Sequence, residues 1–361
     1  MLKLKLITLL GLFISLSIYA QYPLVESRIY LCKQPLESLI FDGKPDEQSW
    51  QLAQWTDDFV DIEGDRKPKP NLQTRVKMLW DENYLYFYAE LEEPHIWANL
   101  TQRDTVIFYD NDFEIFIDPD GDTQLYYEFE INAFNTVWDL MLTRAYRDNG
   151  QAIDNWNING IKTAVHIEGT LNDPRDKDEF WSVEIAMPWT ALEEAASKGK
   201  KPKANDSWRM NFSRVQWDTR IENGKYVKIN DPKAGKPVEH NWTWSPQRII
   251  NMHEPEFWGQ LVFSSKKVGD TDQYVSDFGS EEVRQLLTHI HREQLKSKKD
   301  NKIFIAEKDV LLKSKVFNVG RPIVWQIQAD AYRYHAIMQH PFDAGILWHI
   351  DESGRLWKEF K

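Results

Sequence analysis

Two acidic strands are placed to meet in this chain. Asp112 to Asp118 (DFEIFID) and Tyr126 to Ala133 (YYEFEINA) flank the turn signal Asp118-Pro119-Asp120-Gly121-Asp122. If they form a hairpin around Asp120-Gly121, aligning their apolar faces pairs Phe113, Ile115 and Ile117 with Ile131, Phe129 and Tyr127. The other face then sets Glu114 opposite Glu130, Phe116 opposite Glu128, and Asp112 near Asn132. Opposed side chains sit about 4.5 to 5.5 Å apart, where like charges repel. A shared proton, a bound cation, an arginine from another strand such as Arg209 or Arg214, or a ligand whose hydroxyls the carboxylates hold would each relieve that repulsion. So would glutamates splayed into water on a solvated face.

The same residues fit enzyme chemistry. Retaining glycoside hydrolysis needs carboxylates about 5 to 5.5 Å apart and inverting hydrolysis about 6.5 to 9.5 Å, and neighbours on a sheet face offer both. Two of Glu114, Glu128 and Glu130 are therefore candidate catalytic acids, although a catalytic pair should flank a cleft. Asp118, Asp120 and Asp122 place hard oxygen ligands at alternate positions and are candidate ligands for a structural Ca²⁺; the longer loop with a distal glutamate that an EF-hand needs is absent. A plain Asp-Gly turn is the better account of them. His95, His166, His240 and His253 show no short metal spacing, and no GxSxG, HExxH or phosphate-cradling glycine loop occurs in context.

Aromatic side chains are plentiful: 16 Trp, 14 Tyr and 18 Phe. Their flat apolar faces with polar edges suit the C–H faces of pyranose rings, although most must serve the core. Trp97, Trp138, Trp156, Trp217, Trp242 and Trp244 lie in or near expected loops, and Trp242-Thr243-Trp244, if extended, puts two indoles on one face. The formal charge is -12, or -14 without Lys3 and Lys5. With no basic stripe, such a surface offers nucleic acid and anionic lipid little, whereas a neutral glycan has no objection to it.

Lys3 and Lys5, the apolar run Leu6 to Ile18 and the small Ala20 have the order of a secretory signal peptide over residues 1–20. The expected location is therefore outside the cytoplasm: periplasmic, extracellular or cell-surface. The run is short for a membrane span, and no other stretch approaches spanning length. Cys32 is the only cysteine and cannot form an internal disulfide, so it reads as a small buried hydrophobe.

The elements that must position these residues are strands. Arg75 to Trp80 and Tyr84 to Leu91 alternate around an Asp81-Glu82-Asn83 turn, with Val76, Met78 and Trp80 on one face and Leu85, Phe87, Ala89 and Leu91 on one face of the partner. Turn signals recur up to Phe263, and helical periodicity is scarce apart from Pro188 to Ser197. The expected fold is all-β, an antiparallel β-sandwich of immunoglobulin or jelly-roll type. After Ser264 the pattern changes: Ser280 is a candidate N-cap for an amphipathic helix carrying Val283, Leu286, Leu287 and Ile290. Strands are expected at Ile323 to Ala331, Gly345 to Ile350 and Arg355 to Phe360, so residues 265–361 read as a small α+β C-terminal extension or a docking module for a protein partner.

Six strings in order give this pattern a further meaning. FDGKPDEQSW (41–50), LWDENYLYF (79–87), NDFEIFID (111–118), WSVEIAMP (181–188), and the closing WRMNFSRV (208–215) with FWGQLVF (257–263) resemble the family 9 carbohydrate-binding modules over roughly residues 36–264. The resemblance implies a sugar-binding β-sandwich that is often calcium-bound and serves polysaccharide breakdown. In that family a sugar at a chain end lies between two tryptophans, hydrogen-bonded by a glutamate and an arginine. Here Glu114 matches the glutamate, Phe108 with Tyr109 beside it falls at the first tryptophan, Glu130 at the arginine, and Met252 near the second tryptophan. The leading expectation is a secreted, non-catalytic module in which Glu114, Glu130, Asn132 and Arg214 bind sugar hydroxyls. Phe108, Tyr109, Trp138 and Trp217 or Trp244 would supply stacking faces. A glycoside hydrolase and a structural or docking protein are the alternatives.

Overall fold

The computed structural model describes residues 24–361; the expected signal peptide lies outside them. Alternating apolar residues produce two facing β-layers. In the first, strands run in the order Ala152–Ile153, Val137–Arg144, Gln124–Asn132, Asp112–Asp118, Ser207–Trp217, Gly259–Lys267 and Ile29–Gln34, with Glu239–Thr243 also pairing Ser207–Trp217. The second runs Thr74–Trp80, Tyr84–Glu92, Phe180–Pro188 and Lys162–Glu168. Pairing is antiparallel except along Ile29–Gln34, which lies parallel to Gly259–Lys267 and reaches Thr74–Trp80 through Lys33 and Leu79. That strand joins the two layers. Phe113, Ile115 and Ile117 of the first layer share one buried cluster with Val76, Met78, Phe87 and Val183 of the second. Each such buried side chain contributes about 1.5–3 kcal/mol, so the core stabilises the sandwich without a disulfide. Cys32 is buried and unpaired within it.

The outer face of the second layer is closed by the chain before it. Glu184, on Phe180–Pro188, accepts hydrogen bonds from the amides of Asp42 and Gly43 and from Trp50 Nε1, at 2.8–2.9 Å. Gly43 has φ +86°, and a Cβ there would stand 2.5 Å from the His166 amide nitrogen, so only glycine fits.

Residues beyond the sandwich form the helix Phe278–Asn301 and a four-stranded antiparallel meander of Trp325–Ala329, Tyr334–Gln339, Ile346–Asp351 and Leu356–Phe360. The helix is capped by Asp277, whose side chain accepts from the Ser280 amide; the cap is three residues earlier than sequence suggests because Asp277 reaches that amide first. Tyr334–Gln339 was not legible as a strand. Its alternate residues Tyr334, Ala336 and Met338 pack on Val283, Leu287 and Ile290 of the helix. Polar contacts fasten this unit to the sandwich. Arg209 pairs with Glu281, Arg284 Nη1 donates to the Gly121 carbonyl (2.7 Å), and His291 lies between Asp148 and Tyr334. Arg147 and Arg292 together hold Glu254 and Glu256. No helix among the described residues is long and apolar enough to cross a membrane.

Candidate functional site

The acidic hairpin forms in the expected register. Glu114 pairs with Glu130, Phe116 with Glu128, and Asp112 with Asn132, all on the outer face of the first layer. Trp138 lies opposite Glu130 on the next strand, and Ser213 opposite Glu114 on the other side. This face is not open water. Phe116, Tyr126, Leu140, Leu142 and Trp258 form a buried cluster at one end, with Trp138 and Met252 against it. Trp97, Val215 and Trp217 form another, with Phe108 against it. The carboxylates sit between the two: Glu114 is 5% exposed, Glu128 6%, Glu130 1% and Asp112 0%.

No basic side chain forms an ion pair with Asp112, Glu114, Glu128 or Glu130 among the described residues. Glu130 Oε2 accepts from the Phe108 amide (3.0 Å), and Asp112 Oδ1 from the Val215 amide (3.2 Å). Asp112 Oδ2 and Ser213 Oγ are buried without a hydrogen-bond partner. Burial, and next the neighbouring Glu114, hold the carboxyls of Asp112, Glu128 and Glu130 well above their usual range. Burial raises Glu114 itself to about 7. Protons are therefore retained on this face near neutrality.

Aromatic rings flank the acids. Phe108 and Tyr109 lie 5.0 Å apart, with Tyr109 57% exposed. Near the other cluster, Tyr146 is 49% exposed and packs edge-on against His253 at 4.6 Å. The Tyr146 phenol is pushed up to about 12 by partial burial, then by Glu128, Asp154 and Glu130, which places it within their field. His253 is 2.9 Å from the Tyr126 hydroxyl, and burial lowers it to about 4, so the ring is neutral at pH 7. Sequence reading missed Tyr146 and His253: both lie outside the long strands, and only the folded turns bring them to the acids.

Other expected site residues lie elsewhere. Arg214 is on the opposite side of its strand, fully buried, where it bonds Thr74, Gln216 and Glu93. Period-two alternation puts Ser213 and Val215, not Arg214, on the acidic face. Trp244 is in the inter-layer core, as is Trp242, so the Trp242-Thr243-Trp244 platform does not form. Trp217 is on the correct face but buried; its Nε1 donates to the carbonyls of Phe108 (2.8 Å) and Asp110 (3.1 Å), and the Lys228 ammonium covers its ring at 3.4 Å. It buttresses Phe108 rather than offering a ring to solvent. Asn132 is committed to a turn: its Nδ2 donates to Leu100 O and Asp110 Oδ2, and its Oδ1 accepts from the amides of Phe134 and Thr136.

The Asp118-Asp120-Asp122 turn brings three carboxylate oxygens within 4.8 Å of one another. Yet Asp118 accepts from the amides of Gly121 and Thr123, and Asp122 from the Gln124 amide and Arg355 Nε. These bonds order the turn and tie it to the C-terminal unit through Arg355, and the three carboxylates stay grouped as cation ligands would be.

The fold is thus a two-layer β-sandwich with carboxylates and exposed phenols on one sheet face. The chain belongs to the carbohydrate family 9 binding domain-like family, whose model matches residues 40–266. It is 27% identical over 117 residues to exoglucanase XynX of Acetivibrio thermocellus and, over the same length, to endo-1,4-beta-xylanase A of Thermoanaerobacterium saccharolyticum. Each match spans 32% of this chain but only 9% and 8% of those longer proteins. A family 9 carbohydrate-binding module from Caldicellulosiruptor kristjanssonii, solved with cellotriose, aligns over 68% of this chain and 100% of its own at 15% identity and a TM-score of 0.41.

Proposed function

We propose that the protein is an exported, non-catalytic carbohydrate-binding protein that captures a neutral sugar on its acidic sheet face and so supports polysaccharide breakdown. Family membership supports sugar binding and a role connected with polysaccharides. The observation that carries the site is the conjunction of Glu114 and Glu128, which form no ion pair, with the exposed phenols of Tyr109 and Tyr146. Hydroxyl-rich rings need polar groups that both donate and accept, and a protonated carboxyl does both. A few convergent polar groups beside aromatic faces suffice for binding.

Binding is favoured over hydrolysis by the electrostatics. A glycosidase pair needs one carboxyl held protonated and the other ionised, so the two environments should push in opposite directions. Here Asp112, Glu114, Glu128 and Glu130 are all pushed upward. Calorimetry with cello- and xylo-oligosaccharides tests the reading, since the relatives are an exoglucanase and a xylanase. Wild type should bind, while Glu114→Ala and Tyr109→Ala should weaken binding about tenfold or more. Unchanged affinity in both variants would remove the site, and turnover of the oligosaccharide would favour the hydrolase. Export is tested separately, by fractionating cells that carry the full chain or one lacking residues 2–20.

A further inference from the structure

The acidic face holds more negative groups than a sugar requires, and they converge. Asp112, Glu114 and Glu130 each bring one carboxylate oxygen within 4.8 Å of the others, on adjacent strands whose backbone is fixed by sheet pairing. Two buried oxygens there have no partner: Asp112 Oδ2 in the cluster, and the Ser213 hydroxyl, which is opposite Glu114 and is not one of the acids. Leaving such groups unsatisfied costs about 1–3 kcal/mol each. Among the described residues no basic side chain pairs with these acids: the Lys228 ammonium lies over Trp217 and donates to the Tyr109 carbonyl (2.6 Å), and Arg214 is bonded to Glu93 on the other side of its strand.

We propose that Asp112, Glu114, Glu130 and Ser213 form a Ca²⁺ site on the outer sheet face. The donors are all hard oxygens, with neither imidazole nor thiolate among them, which selects an alkaline-earth ion over zinc or copper. An ion bound among them would satisfy Asp112 Oδ2 and Ser213 Oγ. Ca²⁺ accepts six to eight oxygens, so positions remain on the outward side. There, resting on the sugar-binding reading, a vicinal pair of sugar hydroxyls would complete the shell between Tyr109 and Tyr146.

The test titrates CaCl₂ alone into chelator-stripped protein at pH 7, by calorimetry. One equivalent should bind. The melting temperature should rise by several degrees. Asp112→Asn and Glu130→Gln, which mimic the protonated groups and so preserve the fold, should weaken Ca²⁺ at least tenfold, while Asp120→Asn should leave it unchanged. Absence of binding, binding unaffected by Asp112→Asn and Glu130→Gln, or binding lost only in Asp120→Asn would overturn the site. A second titration with cellotriose separates the two readings. Ca²⁺ binding without sugar binding sustains the cation site and removes the sugar reading, whereas sugar bound equally with and without chelator overturns the bridging role.

Discussion

Replacing Glu114 by glutamine should change how stability depends on pH, and the size follows from the site. Burial raises this carboxyl from 4.5 to about 7 in the folded protein. Between those values the folded state holds a proton that the unfolded chain has released, so stability falls as pH rises. The contribution is fully present below about pH 4.5 and is lost as pH climbs through 7. A shift of this size makes wild type lose about 2–3 kcal/mol relative to Glu114→Gln between pH 5 and pH 8. Glutamine matches the protonated acid in shape, so packing should not differ. Buried His253, lowered to about 4, acts in the opposite direction up to about pH 6.5, but it is common to both proteins and cancels in the difference. Glu114 also raises Asp112, Glu128 and Glu130, so its removal relaxes their shifts in the same direction. Urea denaturation of both proteins at pH 5, 6, 7 and 8, with chelator present, measures the difference. A gap that stays constant, or that grows in favour of wild type with rising pH, would show that Glu114 is not held in a water-poor, cation-free setting.

Three further outcomes follow from the scaffold. Glu184→Ala strips the acceptor from Asp42 N, Gly43 N and Trp50 Nε1 and should cost about 3 kcal/mol in urea melts; a loss under 1 kcal/mol would mean that the opening segment is held by its apolar contacts alone. Gly43→Ala should cost about as much, because it combines φ +86° with a Cβ 2.5 Å from the His166 nitrogen, and a well-folded, equally stable variant would contradict the tight approach. Arg292→Met leaves buried Glu254 and Glu256 with Arg147 alone and should destabilise by about 3 kcal/mol; hydrogen exchange should show opening of residues 248–258, and undiminished protection there would refute it.

Period-two alternation was enough to read the sandwich strands and the register of Glu114 with Glu130, because a one-residue slip would have turned Phe113, Ile115 and Ile117 to the outside. It failed where side chains leave that rule. Arg214 was assigned by its charge, yet its place in the alternation sends it inward, where Glu93, Thr74 and Gln216 satisfy it. Trp217 and Trp244 look like loop aromatics, but longer strands and the Gly259 gap that admits the Trp244 ring absorb them. Tyr146 and His253 reach the site through turns whose course depends on Arg147, Arg292, Glu254 and Glu256, contacts between residues far apart in sequence.

The strings that carry the family resemblance lock one another rather than the ligand. Glu184 of WSVEIAMP holds the Asp42-Gly43 turn and Trp50 of the opening string, and Asp81 of LWDENYLYF accepts from the amides of Asn83 and Tyr84 while its carbonyl receives Trp189 Nε1. These bonds fasten the second layer and the segment packed on it, away from the acidic face of the first layer. At Glu130, where the resemblance implies an arginine, this chain has an acid, so a cation is replaced by a buried carboxyl beside Glu114. Once these carboxyls ionise, a carboxylated sugar faces repulsion in a water-poor setting where charges interact more strongly than in bulk water. Neutral cello- or xylo-oligosaccharides should therefore bind in preference to uronic-acid oligosaccharides by tenfold or more without added metal. Competition calorimetry at pH 8, where the carboxyls are most ionised, should widen that ratio, and equal affinity for the acidic sugar would show that another surface of the molecule binds it.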